Sequence, residues 1–277
     1  MQRISVVGLG LMGAALARAF HAAGHDLIVW NRSPEKSRGL AALGVPVARD
    51  FAEVLASSAV IVICIEGYQG ARALLQAQDL TGRTVVQLST GTPREAREMQ
   101  AFLQARGAIV LDGAILCGPN AIGGEGGEIV LAGDAEAWNL AGPLLKCLAT
   151  EVRYLGAEPG AAAALDMAWL MAWFSQMIAA SHAASICRAE GVGLDNLVQR
   201  FAEGSYMRRC VSVICDETYD SFTASLEIWG ESLKRVQQQG RDAGIATDIP
   251  DFFSGYFQRA VAAGFGQQNA MALFKVL

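Results

Sequence analysis

A short apolar run, Ile4-Ser5-Val6-Val7, passes without a break into Gly8-Leu9-Gly10-Leu11-Met12-Gly13, and this junction restricts the fold more than any other stretch of the chain. An apolar run of that length reads as a strand. Glycines spaced GxGxxG directly after a strand have separate tasks: the first permits a tight turn, the second lets a pyrophosphate approach the backbone, and the third lets the following helix pack close on the sheet. That helix would present N–H groups and a partial positive charge to phosphates. A plain glycine turn is the structural alternative.

The pattern repeats through the first half. Strand-like runs at 4–7, 27–30, 60–65, 85–88, 109–111 and 129–131 alternate with amphipathic segments, some opening at Ser33-Pro34 and Thr92-Pro93, where proline suits a first helical turn. A further short strand is expected at 152–155. This alternation predicts an α/β fold, a doubly wound parallel sheet of the Rossmann type. After Gly160 the strand signals stop, and helices are expected at 159–190, 194–203, 206–216, 223–243, 250–263 and 268–276. The reading is therefore an N-terminal Rossmann domain over residues 1–158, a long interdomain helix at 159–190 and an all-α domain over 159–277.

The long helix carries one acid, Asp166, in its first apolar turns. At about 100° per residue, Trp169, Leu170, Trp173 and Met177 fall on the same face as Asp166, a face that is either a pocket wall or part of a core. Such length and hydrophobicity also raise a membrane span, but Asp166, Ser175 and Gln176 interrupt it, and an aspartate at mid-bilayer costs roughly 2.5–3.5 kcal/mol. Burial by protein, including a second copy of the chain, is the better expectation, and a homodimer follows from it.

Composition narrows the partners. A net charge of −5 gives no reservoir of positive charge for nucleic acid or an anionic membrane surface, so neither is expected. The six cysteines show no metal-type spacing and read as reduced thiols; with no export signal ahead of the first strand, a cytoplasmic location is the expectation. His21 and His25 have helical spacing for a metal but lie beside the Gly24 turn, and no metal is expected. His182 is expected to be an interior or interface residue.

The second strand ends in Trp30-Asn31-Arg32-Ser33, without the acid that would grip the ribose hydroxyls of NADH. Asn31, Arg32, Ser33 and Lys36 can instead hold a 2′-phosphate, which predicts NADPH; solvated surface charge is the alternative for Arg32 and Lys36. Two further strand-end loops, Cys64-Ile65-Glu66 and Ser89-Thr90-Gly91-Thr92, lie where the nicotinamide and its ribose are expected. The hydroxyls of Ser89, Thr90 and Thr92 can equally cap the next helix.

The stretches GLGLMGAALARAFHAAGHDLIVWNRSPEKS, QLSTGTP, LDGAI and GAEPGAAAALD together resemble the β-hydroxyacid dehydrogenase superfamily, and within it the NADPH-dependent imine reductases. The resemblance implies a Rossmann domain, a long interdomain helix and a helical C-terminal domain, resembling that of 6-phosphogluconate dehydrogenase, that interlocks with its partner in a homodimer. The hydroxyacid dehydrogenases carry a serine-glycine-glycine turn and a catalytic lysine. Here Ile115, Leu116, Cys117 and Gly118 replace the turn, and the chain's four lysines, at 36, 146, 234 and 275, all lie away from the long helix. Counting by the dehydrogenase spacing reaches Leu165, whereas the imine-reductase spacing reaches Asp166, which takes the aspartate form of that family's catalytic position.

The chemistry this implies is hydride transfer from NADPH to the C=N bond of a cyclic imine or iminium, a small-molecule substrate, giving an amine. Asp166 is expected either to pair with the cation or to donate a proton, its burial favouring the protonated form. Trp169 and Trp173 can add cation–π attraction. Tyr206, Met207 and Trp229, in the helical domain, can close the pocket from the partner subunit, with core packing as the alternative for each. Two other functions stay open: an NADP-dependent β-hydroxyacid or carbonyl oxidoreductase, and a non-catalytic NADPH sensor using Cys210 and Cys215.

Overall fold

Seven strands build one sheet: β1 (Ile4–Val7), β2 (Leu27–Trp30), β3 (Val60–Ile63), β4 (Thr84–Gln87), β5 (Ile109–Ile115), β6 (Glu128–Gly133) and β7 (Glu151–Tyr154), in the order β2-β1-β3-β4-β5-β6-β7. The first four are four-residue runs, buried on both faces apart from the end of β2, so they read as continuous apolar stretches rather than alternating ones. A computed structural model describes residues 3–222 and 224–277. It divides into two compact units, Met1–Asp166 and Met167–Leu277.

The pairings from β2 to β5 are parallel, as is β6 with β7, but β6 runs antiparallel to β5, so the sheet is mixed rather than wholly parallel. The connection explains the exception. Parallel neighbours need a helical crossover, whereas the glycine-rich segment between β5 and β6 forms only a short 3-10 turn, Pro119–Ala121, and returns directly. β5 also continues beyond the expected 109–111, through Asp112 and Gly113 to Ile115.

Helices cover both faces of the sheet. On one lie α1 (Leu11–Ala22) and, later in the chain, a helix over Ala135–Leu145, with Leu16, Phe20, Ala141 and Leu145 packed on Val6, Val29, Val62 and Leu111. The short α2 (Arg38–Ala41) follows a 3-10 turn at Pro34–Ser37. The opposite face receives α3 (Phe51–Ser57), α4 (Gly67–Leu75) and α5 (Pro93–Gln104), whose Phe51, Val54, Tyr68, Leu75, Met99 and Leu103 pack on Val7, Ile61, Ile63, Val85 and Val110. The Ala135–Leu145 helix is α6, and Ala163, from the first turn of α7 (Ala161–Ala189), joins the α3–α5 side.

The second unit is helical. Met167, Leu170, Phe174, Met177, Ile178, Ala180 and Ala184 of α7, a helix apolar and long enough to cross a membrane, lie in its core, so one side of that helix is covered by protein. Around it stand α8 (Leu194–Val198), α9 (Tyr206–Cys215), α10 (Leu226–Ala243) and α11 (Asp248–Ala260), followed by a π turn at Val261–Phe265 and a 3-10 stretch at Ala270–Val276. Ser205 and Ser225 cap α9 and α10 by accepting the N–H groups of Arg208 and Ile228. The expected helix 194–203 is shorter because the chain turns after Val198; the first residue of the expected 223–243 helix, Thr223, lies outside the described residues.

The β1–α1 junction depends on absent side chains. Gly8 has φ +96°, and a Cβ there would overlap the Cys64 carbonyl; a Cβ on Gly13 would overlap the Gly8 carbonyl oxygen. Gly10 differs, since a Cβ there would meet nothing within 4 Å. Gly13→Ala is therefore expected to destabilise the fold by about 1–3 kcal/mol, and Gly10→Ala to change it by less than about 0.5 kcal/mol. Thermal melting of both variants checks this, and equal losses would contradict the geometry.

Candidate active site

Gly10 is the residue before α1, and no side chain caps the first turn of that helix. Its backbone N–H groups therefore face the open space beside Gly10, bordered by Leu11, which is 71% exposed, and by Met12. Leu9 is buried, and its N–H donates to Asn31 Oδ1 at 2.8 Å, while Asn31 Nδ2 donates to the Ser33 carbonyl at 2.9 Å. Asn31 thus locks the glycine turn to the end of β2. Arg32 and Lys36 are exposed, and the Ser33 hydroxyl makes no capping bond. The space left by Gly10 suits a pyrophosphate, and Arg32, Ser33 and Lys36 suit a phosphate on the neighbouring ribose; the residues present fit a phosphorylated dinucleotide.

The loops after β3 and β4 are tied together. The Ile65 N–H donates to Ser89 Oγ at 3.2 Å, and that hydroxyl donates to Gln87 Oε1 at 3.0 Å. Thr92 caps α5, its hydroxyl accepting the Glu95 N–H while the Glu95 carboxylate accepts the Thr92 N–H. Of the three hydroxyls expected near the nicotinamide, Ser89 and Thr92 thus have structural partners and Thr90 is exposed. Glu66 is exposed and Cys64 half-buried, its thiol pushed up to about 12 by burial.

Trp30, Val7, Ile63, Gln87 and Asp112 stand side by side in register along the C-terminal edge of the parallel strands, the edge where open α/β sheets bind ligands. The row is apolar until Gln87 and Asp112. The Tyr68 hydroxyl, on α4, donates to Asp112 Oδ1. Asp112 is 2% exposed; burial pushes its carboxyl up to about 7, the Tyr68 bond opposes that rise, and the charge of Asp166 adds to it. The Tyr68 phenol is held well above its ordinary range by burial, then by Asp112, Glu95 and Asp166. Asp166 itself is 6% exposed.

These interactions place Asp166 within electrostatic reach of the strand edge that carries the glycine turn, inside the first unit. The charges acting on Tyr68 and Asp112 there are all negative. Tyr68 and Asp112 were not foreseeable as a pair, being 44 residues apart. The available signal was Asp112 itself, the one charged residue in the run IVLDGAI.

Within the second unit, Trp169, Trp173, Tyr206 and Trp229 form an aromatic cluster. Trp173 lies 4.4 Å from Trp169, stacks on Tyr206 at 3.9 Å and is 6.0 Å from Trp229, measured between ring centroids. Burial, then Cys210, raises the Tyr206 phenol. Met207 packs half-buried against the core of this unit, of which Leu170 and Met177 are buried members. His182, expected inside or at an interface, is exposed in this chain because its position on α7 faces away from the helical core.

Residues 3–156 match the NAD-binding domain of 6-phosphogluconate dehydrogenase, and residues 158–277 match the C-terminal domain of NADPH-dependent reductive aminase-like proteins. The chain is 25% identical to the NADPH-dependent reductive aminase of Aspergillus oryzae, over 99% of this chain and 96% of the relative. Among solved structures it is similar to a reductive aminase from Aspergillus terreus in complex with NADPH and ethyl levulinate, at 28% identity with TM-score 0.67, covering 100% of this chain and 99% of the other. An imine reductase from Myxococcus stipitatus in complex with NADP+ is also 28% identical, with TM-score 0.68 and 99% of both chains covered. A 3-hydroxyisobutyrate dehydrogenase from Salmonella typhimurium has TM-score 0.86 at 23% identity over the full length of both chains, a likeness of fold. The NADPH expected from the end of β2 agrees with both domain matches, and the chain belongs to the family with the 6-phosphogluconate dehydrogenase type of NAD-binding domain, oxidoreductases of the β-hydroxyacid dehydrogenase superfamily, and carries a reductive-aminase-like C-terminal domain.

Proposed function

We propose that this chain is an NADPH-dependent imine reductase in which Asp166 is the catalytic proton donor. The observation that carries the reading is electrostatic. Asp166 is buried, and its charge acts on the hydrogen-bonded pair Tyr68 and Asp112. A buried carboxylate at this position suits a cationic substrate better than the carboxylate of a hydroxyacid. None of the four lysines, the residue type that serves hydroxyacid dehydrogenases, falls within the long helix.

When bound, NADPH supplies a hydride to the substrate carbon. The chain supplies the rest. Gly8, Gly10 and Gly13 admit the pyrophosphate, Arg32, Ser33 and Lys36 hold the 2′-phosphate, and the loops at Cys64–Glu66 and Ser89–Thr92 flank the nicotinamide half. As the C=N π pair moves to nitrogen, the Asp166 O–H bond breaks and nitrogen takes the proton, so imine, hydride and proton give a neutral amine and leave Asp166 a carboxylate. Large apolar side chains exposed on the helical unit, Ile228, Ile249 and Phe252, support a homodimer.

Asp166→Asn is expected to lower turnover of a cyclic imine by about 100-fold or more while leaving NADPH affinity within about twofold. Steady-state NADPH consumption and fluorescence titration of the cofactor measure the two quantities, and an Asn variant with full activity would remove Asp166 from the chemistry. Arg32→Glu is expected to weaken NADPH by about tenfold or more and NADH far less. Equal losses for both cofactors would show Arg32 to be a solvated surface charge. NADP-dependent oxidation of β-hydroxyacids, with no imine turnover, would favour the hydroxyacid reading instead.

A further inference from the structure

Space, not backbone conformation, requires a glycine at Gly91. Its backbone is not left-handed, so any residue could adopt it. A Cβ there would overlap the Cδ2 and Cε2 atoms of the Tyr68 ring and lie 3.1 Å from Glu95 Oε2. The loop after β4 therefore rests directly on that ring.

The ring has little freedom to give way. Tyr68 is the second residue of α4, 4% exposed, and packed in the core that α4 and α5 form against the sheet. Its far end is tied as well, because the hydroxyl donates to Asp112 Oδ1 on β5. A ring enclosed by close-packed core and anchored at both ends is a rigid support.

The stretch it supports is short. Ser89 is fixed by its bonds to the Ile65 N–H and Gln87 Oε1, and Thr92 by its reciprocal bonds with Glu95. Thr90 and Gly91 bridge the interval, Thr90 exposed and Gly91 buried on the ring. The depth of this bridge, and with it the place of Thr90, is set by Tyr68.

We propose that Tyr68 is a positioning residue for the nicotinamide half of NADPH. Anchored by Asp112, its ring holds the loop that flanks the nicotinamide, whereas the adenosine half is held by other elements, the glycine turn and the end of β2. This rests on the proposed placement of the 89–92 loop beside the nicotinamide.

Calorimetric titration of the whole protein with two ligands tests it: NADPH, and adenosine 2′,5′-bisphosphate, which carries the 2′-phosphate but no nicotinamide. Gly91→Ala is expected to weaken NADPH by about tenfold, the equivalent of one hydrogen bond, and to leave the bisphosphate within about twofold of wild type. Tyr68→Phe keeps the ring but frees it from Asp112. It is expected to weaken NADPH by about threefold with the same selectivity, and it carries the test should Gly91→Ala fail to fold. Because the two positions meet through the ring, the penalty of Gly91→Ala should shrink to about twofold or less when it is added to Tyr68→Ala. A merely structural role for Tyr68 would weaken both ligands alike or neither. Either result overturns the proposal, as does a Gly91→Ala penalty undiminished by removal of the ring. Thr90→Trp tests the loop's placement separately, and is expected to weaken NADPH alone by about tenfold. If it does so while the Tyr68 and Gly91 variants bind like wild type, this proposal alone fails. If Thr90→Trp leaves NADPH binding unchanged, the loop does not flank the nicotinamide, and the proposal falls with that placement.

Discussion

A buried carboxyl is costly unless it is hydrogen-bonded or protonated, and this constraint governs the C-terminal strand edge of the first unit. The strand edge that receives a dinucleotide in this fold is here apolar as far as Ile63 and then carries Gln87 and Asp112, with Tyr68 from α4 bonded to the acid. Asp166 acts on both from the start of α7. Burial pushes the Asp112 carboxyl up to about 7, and the charge of Asp166 adds to that rise.

The cofactor end is organised by different means. Backbone, not side chains, shapes the glycine turn: Gly8 and Gly13 are needed for close approach, and Gly10 for open space. The Asn31 amide then fixes the turn to the loop that carries Arg32 and Ser33. The glycine turn and the loop that carries Arg32 and Ser33 are thereby mechanically linked through one side chain.

Much of this was readable from the residues alone, for identifiable reasons. Strands buried on both faces appear as plain apolar runs, so the sheet's members were visible, but strand direction depends on the connection, and β6 turned back because its linker has no crossover helix. β5 was underestimated because Asp112 and Gly113 look like a strand end; the acid is tolerated only because Tyr68, distant in sequence, reaches it. Asp166 stood out as a lone acid in an apolar helix. Periodicity placed Leu170 and Met177 on its face but could not show what covers them, and both are core residues of the helical unit. It did mark Trp169 and Trp173, which the fold joins to Tyr206 and Trp229.

The central claim is hydride delivery to a carbon–nitrogen double bond, and isotope transfer tests it most directly. The purified chain would be incubated with a pyrroline and NADPH deuterated at the transferring position of the nicotinamide, and the products examined by NMR. The account predicts one deuterium on the carbon of the amine that was formerly double-bonded to nitrogen. Deuterium found instead on the carbinol carbon of a hydroxyacid formed from a β-keto acid, with the pyrroline unlabelled and unreduced, would contradict it.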